Sequence, residues 1–133
     1  MLEIGAAARR ILVVDDNRDL ADSLAMLLES MGNHLRTAHD GAEAVKIASE
    51  FRPHAVALDV GLPKMNGFDV ARALRQQPWG EKIVLVAVTG WGQERDRQRA
   101  IEAGFDHHMV KPVDAASLLR LIDGSAHPGS TLR

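Results

Sequence analysis

Short apolar runs alternate with longer helical patterns along most of this 133-residue chain. Five runs are predicted strands: Ile11–Val14, His34–Ala38, Ala55–Leu58, Val84–Val88 and Met109–Val110. All but the second have the composition of buried strands. The segments between them carry apolar residues at helical spacing. Such alternation predicts βαβ units, and right-handed crossovers then place helices on both faces of one parallel sheet. The sequence therefore predicts a three-layer α/β/α sandwich built from five βα units.

Composition narrows the class of protein further. The formal net charge is -2 and cysteine is absent, which disfavours a basic nucleic-acid-binding face, a disulfide framework and a thiolate metal site. No apolar segment approaches membrane-spanning length, and residues 1–10 lack the apolar core of a signal peptide. We therefore expect a cytoplasmic domain at residues 10–123 that contacts neither nucleic acid nor membrane. Residues 1–9 and 124–133 are expected to be flexible.

Two helical segments carry contrasting apolar stripes. The first has a leucine-rich stripe that we expect to be buried: Leu20, Leu24, Leu27, Leu28 and Met31. The fourth, Gln93–Ala103, is nearly all charged or polar and offers only Ala100 and Ile101 as apolar contacts. Because little apolar area ties it down, this fourth helix is expected to be the most loosely held one.

Polar side chains stand where the apolar runs end. Asp15 and Asp16 follow the first run, Asp59 the third, Thr89 the fourth and Lys111 the fifth. Ligands of open α/β sheets bind outside the carboxyl ends of the strands. The sequence therefore predicts that three carboxylates, a hydroxyl and an ammonium group meet in one crevice.

This set of groups suits phosphoryl chemistry. Carboxylates gathered in one crevice repel each other, and Mg²⁺, which prefers oxygen ligands and often pairs with phosphate, relieves the repulsion. Lys111 supplies a compact positive charge and Thr89 a hydrogen-bond donor for phosphoryl oxygens. Phosphoryl transfer asks mainly for positioning and charge stabilisation, and a carboxylate can itself be the nucleophile. Asp59, alone at the end of a central run, is the expected nucleophile.

The same residues resemble the receiver domain of two-component response regulators, similar in particular to receivers at the C-terminal ends of hybrid histidine kinases. The matching segments follow one another in order: Ile11–Asn17, Ala57–Gly67, Val88–Gly90 and Gly104–Pro112. The resemblance covers about Arg10 to Asp123. It implies a flavodoxin-like doubly wound fold with strand order 2-1-3-4-5 and a site at the topological switch point.

The resemblance also implies roles for the matching residues. Asp59 is the expected phosphoacceptor, and its phosphoryl donor is a histidine kinase or a histidine phosphotransfer protein. Asp16, the Asp59 carboxylate and the backbone carbonyl of Gly61 are expected to bind Mg²⁺ directly. Asp15 is expected to act mostly through a metal-bound water. The domain is therefore expected to be a regulatory module rather than a turnover enzyme.

The resemblance implies that two further residues respond to the phosphoryl group. Thr89 is expected to turn toward the new phosphoryl group and Lys111 to pair with it, and the Lys111–Pro112 peptide bond is expected to be cis. The signal would then change the surface formed by the fourth helix, the fifth strand and the last helix. The resemblance is also compatible with a homodimer that forms through this surface.

Two residues depart from the resemblance. His108 stands where the family often has a tyrosine or phenylalanine that switches rotamer with the threonine, so that switch is not expected here in its usual form. His107 and His108 are adjacent strand residues, which point to opposite faces and are poorly placed to chelate one ion. Trp91 is expected either to shield the acyl phosphate from water or to pack against a partner.

Other functions remain open from the residues alone. The receiver scaffold could serve as a phosphorylation-independent interaction module. A flavin or nucleotide enzyme of the same fold would place a glycine- or hydroxyl-rich loop after the first strand, where this chain has Asp15 and Asp16. A phosphatase of the haloacid dehalogenase type would need those two aspartates separated by one residue. Both enzyme readings are therefore disfavoured.

Overall fold

Five strands and five helices alternate in the structure, a computed structural model that describes residues 8–90 and 97–124. The strands are β1 (Arg10–Val14), β2 (His34–Ala38), β3 (Ala55–Asp59), β4 (Val84–Thr89) and β5 (His107–Val110). The helices are α1 (Arg18–Ser30), α2 (Gly41–Phe51), α3 (Gly67–Arg75), α4 (Arg97–Ala103) and α5 (Ala115–Gly124). The predicted alternation is confirmed, and the fifth strand begins two residues earlier than the apolar run indicates.

The strands form one parallel sheet in the order β2-β1-β3-β4-β5. The predicted fold and strand order are therefore confirmed. Every residue of β3 is buried, as expected for a central strand that helices cover on both faces. The chain reverses its direction of winding between β1 and β3, so the carboxyl ends of these strands flank the crevice of the switch point.

Alternate residues of the strands feed two separate apolar cores. On one face, Leu12, Leu58 and Leu85 pack under α2, α3 and α4. On the other face, Val13 and Ala57 pack under α1 and α5. Burial of both faces is the main stabilising contribution to this sandwich.

Side-chain caps set the helix ends that border the site. Asp40 accepts a hydrogen bond from the Glu43 N–H at 2.8 Å. Asp114 likewise accepts from the Ser117 N–H at 2.9 Å. The first helix is capped by Asn17, whose side chain accepts from the Leu20 N–H at 3.1 Å. The Asp16 carboxylate is therefore not used as a cap.

The predicted burial of the leucine stripe on α1 is wrong for most of its members. Leu20, Leu27 and Met31 are about half exposed, and Leu24 is half-buried. Of the stripe, only Leu28 is fully buried, and it lies with two small residues, Ala21 and Ala25, on the face that meets the sheet. At 3.6 residues per turn this face is centred roughly 100° from the exposed leucines. The alanines allow the helix to approach the sheet closely.

The apolar contacts of α4 extend beyond the two that the sequence predicts. Ala100 and Ala103 are buried, whereas Ile101 is only half-buried. An arginine adds a contact that the sequence did not suggest, because the Arg99 guanidinium lies 4.3 Å from the centre of the Phe68 ring on α3. Trp91 and the first part of the predicted segment, residues 93–96, lie outside the described residues. Among the described helices, none combines the length and apolarity needed to cross a membrane.

Candidate functional site

Three carboxylates converge at the carboxyl ends of β1 and β3. One oxygen from each of Asp15, Asp16 and Asp59 lies within 4.8 Å of the others. Asp15 and Asp59 are buried, and Asp16 lies at the exposed mouth of the crevice. The structure thus brings together the three aspartates that the sequence predicts to be neighbours.

Local backbone geometry fixes Asp15. Its N–H donates to the Ala38 carbonyl of β2 at 3.1 Å, which extends the β1–β2 pairing by one residue. Its Oδ1 accepts from the Asn17 N–H at 2.9 Å. His39 Nδ1 lies 3.1 Å from the Asp15 carbonyl oxygen, a contact that the sequence did not suggest. The contacts with Ala38 and His39 therefore fix the backbone of Asp15, and the Asn17 N–H fixes one oxygen of its carboxylate.

Asp59 is held by a tight loop at the end of β3. Its Oδ1 accepts from the Gly61 N–H at 2.8 Å. The start of α3 packs directly on the same loop, and a Cβ on Gly67 would come within 2.6 Å of the Asp59 carbonyl oxygen. Gly67 is therefore required by close approach rather than by its φ angle. The result is a nucleophile candidate that is only 6% exposed yet borders the crevice.

Lys111 reaches two of the three carboxylates. Its Nζ lies 3.1 Å from Asp15 Oδ2 and 3.2 Å from Asp59 Oδ2. Its backbone N–H donates to the Thr89 carbonyl at 2.8 Å, and the Lys111–Pro112 peptide bond is cis, as predicted. The ammonium group therefore offsets part of the repulsion between the buried carboxylates.

The pKa values of Asp59 and Lys111 are both raised, but for different reasons. Burial raises the pKa of Asp59, with repulsion from Asp15 adding to it, and outweighs the Gly61 N–H and Lys111, which lower it. Burial lowers the pKa of Lys111, but its hydrogen bond to Asp15 and the charges of both carboxylates outweigh that, so the net direction is up. The charged form is therefore disfavoured for Asp59, mainly by burial, and favoured for Lys111, which faces two opposite charges.

The raised pKa of Asp59 leads to a stability prediction in the absence of divalent cations. Between the unfolded and the folded pKa of this carboxyl, the folded protein binds more protons, so its contribution to stability falls as pH rises through that window. We therefore expect Asp59→Asn to raise the midpoint of thermal unfolding at pH 7 in EDTA, with a smaller difference at pH 4. Asp69→Asn, on the exposed surface of α3, is the control. An equal or lower midpoint for Asp59→Asn at pH 7 would contradict this assignment.

Thr89 lies at the edge of this cluster with its hydroxyl directed to β5. The residue is 1% exposed. Its Oγ1 lies 2.9 Å from His108 Nε2 and donates to the Met109 carbonyl at 3.4 Å. The register pairs Ala87 with His108 and Val86 with His107, so the two histidines lie on opposite faces of the sheet as predicted.

A mostly apolar cavity of about 510 Å³ adjoins the site between α1 and the ends of the strands. Asp15 and Lys111 line the end nearest the carboxylates. Leu24, Leu27 and Val113 line much of the remainder. Three members of the leucine-rich stripe of α1, which the sequence predicts to be buried, line this cavity: Leu20, Leu24 and Leu27.

Comparison with known proteins agrees with this geometry. A family model described as the response regulator receiver domain matches residues 11–123. An uncharacterised 14.6 kDa protein of Leptolyngbya boryana is 38% identical over 112 residues, covering 84% of this chain and 86% of that protein. The transcriptional regulatory protein PrrA of Mycobacterium leprae is 36% identical over 118 residues, covering 89% of this chain. The chain spans 50% of the length of PrrA.

Solved structures show the same fold. Chemotaxis protein CheY4 of Vibrio cholerae has a TM-score of 0.83 at 27% identity, covering 90% of this chain and 99% of that one. The receiver domain of sensor histidine kinase PA1611 from Pseudomonas aeruginosa, with a magnesium ion coordinated in its active site cleft, has a TM-score of 0.79 at 30% identity, covering 89% and 97%. A response regulator of Burkholderia pseudomallei with a phosphorylated aspartic acid and a calcium ion has a TM-score of 0.77 at 28% identity, covering 84% and 64%.

The fold and the site define a regulatory domain of two-component signalling. The family model covers most of the chain, and the relatives and solved structures are similar across the same span. The chain therefore belongs to the response regulator receiver domain family.

Proposed function

We propose that this domain, residues 10–123, is the phosphoacceptor of a His-Asp phosphorelay and takes the phosphoryl group on Asp59. One observation supports this most strongly. The Asp59 carboxylate is buried at the floor of the crevice, with Oδ1 bonded to the Gly61 N–H and Oδ2 facing Lys111. This holds one oxygen of the nucleophile in a fixed orientation and leaves the other beside a positive charge.

The proposed transfer follows from the arrangement of these groups. Asp59 Oδ2 attacks phosphorus as the bond from phosphorus to the donor histidine nitrogen breaks, and that bond's electron pair stays with the imidazole. An acyl phosphate forms at Asp59. Lys111, now 3.2 Å from Oδ2, is close enough to pair with an oxygen of the new phosphoryl group. The phosphoryl group thereby gains a partner that was already in place.

The donor set fits a hard divalent cation. The converging atoms are carboxylate oxygens, one from each of three aspartates, all within 4.8 Å of one another. We propose that Asp16, Asp59 and the Gly61 carbonyl would hold Mg²⁺, with Asp15 acting through a bound water. When bound, the cation supplies positive charge that offsets repulsion between the carboxylates and the incoming phosphoryl oxygens. The magnesium ion in the PA1611 receiver supports this assignment.

Readout is proposed to pass through Thr89. Its hydroxyl would turn from β5 toward the phosphoryl group, and the surface of α4, β5 and α5 would change with it. That surface is also the proposed place for a homodimer. The proposed donor is a histidine kinase or a histidine phosphotransfer protein.

Phosphoryl incorporation tests the proposal. The purified domain is incubated with acetyl phosphate and Mg²⁺, and the intact mass is measured. We expect the wild type and Asp69→Asn to gain one phosphoryl group, and Asp59→Asn or wild type in EDTA to gain at least about 100-fold less, since the nucleophile or the charge stabilisation is lost. Absence of incorporation into the wild type would instead favour the phosphorylation-independent interaction module.

A further inference from the structure

His39 connects the turn after β2 to the carboxylate cluster. Its ring nitrogen Nδ1 lies 3.1 Å from the backbone carbonyl oxygen of Asp15. A carbonyl oxygen can only accept a hydrogen bond, so Nδ1 carries the hydrogen and donates it. The hydrogen bond made by a ring nitrogen selects the tautomer of a neutral histidine. We therefore expect the neutral His39 ring to be protonated at Nδ1.

This contact acts on the peptide unit that leads to Asp16. Because a peptide unit is planar, the Asp15 carbonyl oxygen and the Asp16 Cα atom lie in one plane. The preceding peptide unit is bonded as well, since the Asp15 N–H donates to the Ala38 carbonyl at 3.1 Å. Both peptide units of Asp15 are thus restrained by Ala38 and His39, the residues at which β2 ends and turns toward α2.

Asp16 depends on its backbone more than the other two aspartates do. The carboxylates of Asp15 and Asp59 each accept a backbone hydrogen bond and pair with Lys111. Within residues 8–90 and 97–124, the Asp16 carboxylate has neither kind of partner. It lies exposed at the mouth of the crevice. The position of this carboxylate therefore follows mainly from the peptide unit that His39 restrains.

The start of α2 fixes His39 in turn. The His39 N–H donates to Glu43 Oε1 at 2.7 Å, and the Glu43 N–H donates to Asp40 Oδ1 at 2.8 Å. His39 is half-buried, so its ring is only partly open to competing water. The Nδ1 hydrogen bond to Asp15 therefore originates from a turn that two further hydrogen bonds stabilise.

We propose that His39 is a positioning residue for the divalent cation, because its ring holds the peptide between Asp15 and Asp16 in the orientation from which Asp16 binds Mg²⁺. The inference rests on the proposed function, since it takes Asp16 as a direct ligand. His39 is not itself a ligand, because the atoms that converge on the site are carboxylate oxygens. Residues that orient the ligands of a metal site from outside the ligand set raise its affinity.

Titration with Mg²⁺ at constant ionic strength tests the inference. The apparent Kd is measured from the amide resonance of Gly61 in the wild type, His39→Ala, His39→Asn and His34→Ala. Loss of one hydrogen bond should weaken Mg²⁺ binding about fivefold in His39→Ala. An asparagine amide can donate from nearly the same point as Nδ1, so the Kd of His39→Asn should stay within about twofold of the wild type. His34 is exposed at the other end of β2, and His34→Ala should bind like the wild type.

The outcomes of this titration separate the inference from the proposed function. Equal Kd values for the wild type and His39→Ala would overturn the inference and leave the metal site in place. Binding by His39→Asn as weak as that of His39→Ala would overturn the role of the hydrogen bond. If the wild type binds no Mg²⁺, the proposed metal site fails and this inference fails with it.

A second measurement uses the wild type without metal and needs no variant. The ¹⁵N resonances of the His39 ring are recorded in alkaline solution, where the neutral ring reports which nitrogen is protonated. We expect the hydrogen on Nδ1. A ring protonated at Nε2 could not donate to the Asp15 carbonyl and would contradict the inference.

Discussion

Replacing Lys111 by methionine is expected to impair both the stability and the chemistry of the domain. The substitution keeps much of the apolar stem but removes the ammonium group that lies 3.1 Å from Asp15 and 3.2 Å from Asp59. Two buried carboxylates then lose their common partner. Lys111 is 30% exposed, so part of this loss is screened by water, and we expect the free energy of unfolding in EDTA to fall by about 1–2 kcal/mol.

Metal and phosphorylation measurements separate the two roles of Lys111. Mg²⁺ should restore most of the stability lost in Lys111→Met, because the cation offsets the same carboxylate charge. It should not restore the pairing with the phosphoryl group, so phosphoryl incorporation should remain at least about tenfold below wild type. Lys82→Met, at an exposed position before β4, is the control for the loss of a lysine charge. Wild-type incorporation by Lys111→Met would exclude the proposed role of this ammonium group.

Replacing Arg75 by methionine is expected to cause the larger loss of stability. The guanidinium lies at the end of α3 and donates to four backbone carbonyls and to the carboxylate of Asp106. The carbonyls precede β4 or follow α4 in the chain: Gly80, Glu81, Ile83 and Gly104. The side chains of Arg75 and Asp106 are 19% and 15% exposed. Removing a guanidinium with this many partners, most of them shielded from water, should cost about 3 kcal/mol.

Denaturant unfolding measures this loss, and the matched control is Arg72→Met. Arg72 lies one turn earlier on α3 and forms an exposed ion pair with Asp69, which should contribute less than about 1 kcal/mol. Arg75 contacts the turns that follow α3 and α4, so Arg75→Met should also increase amide hydrogen exchange around Gly104 more than around Asp40. A loss no greater than that of Arg72→Met would show that this network contributes little.

The sequence predicted the layers and the strand order because these follow from patterns that are local or shared across the family. Each strand is a short apolar run, and each carboxylate of the site directly follows one. Asp59, for example, could be placed at the crevice because the carboxyl ends of parallel strands share one edge of the sheet. The cap at Asp40 is likewise a local feature, because both partners of the hydrogen bond lie within four residues.

Other features depend on packing that the sequence pattern does not specify. The pattern predicts that the leucine stripe of α1 is buried, whereas Ala21 and Ala25, on a neighbouring face of the helix, pack on the sheet. Helical periodicity identifies the apolar faces of a helix but does not show which of them packs on the sheet. In α1 two adjacent faces are apolar, and the one that packs more closely is buried. The contacts of Arg75 join residues up to 31 positions apart, and no local signal marks them.

Chemical trapping tests the central claim of phosphorylation at Asp59 most directly. Borohydride reduces an aspartyl phosphate to homoserine, so the phosphorylated domain can be reduced, digested and sequenced by mass spectrometry. We predict that homoserine replaces aspartate at position 59 after treatment with acetyl phosphate and Mg²⁺, and that Asp15 and Asp16 are unchanged. Homoserine at Asp15 or Asp16, with Asp59 intact, would contradict this account of the site.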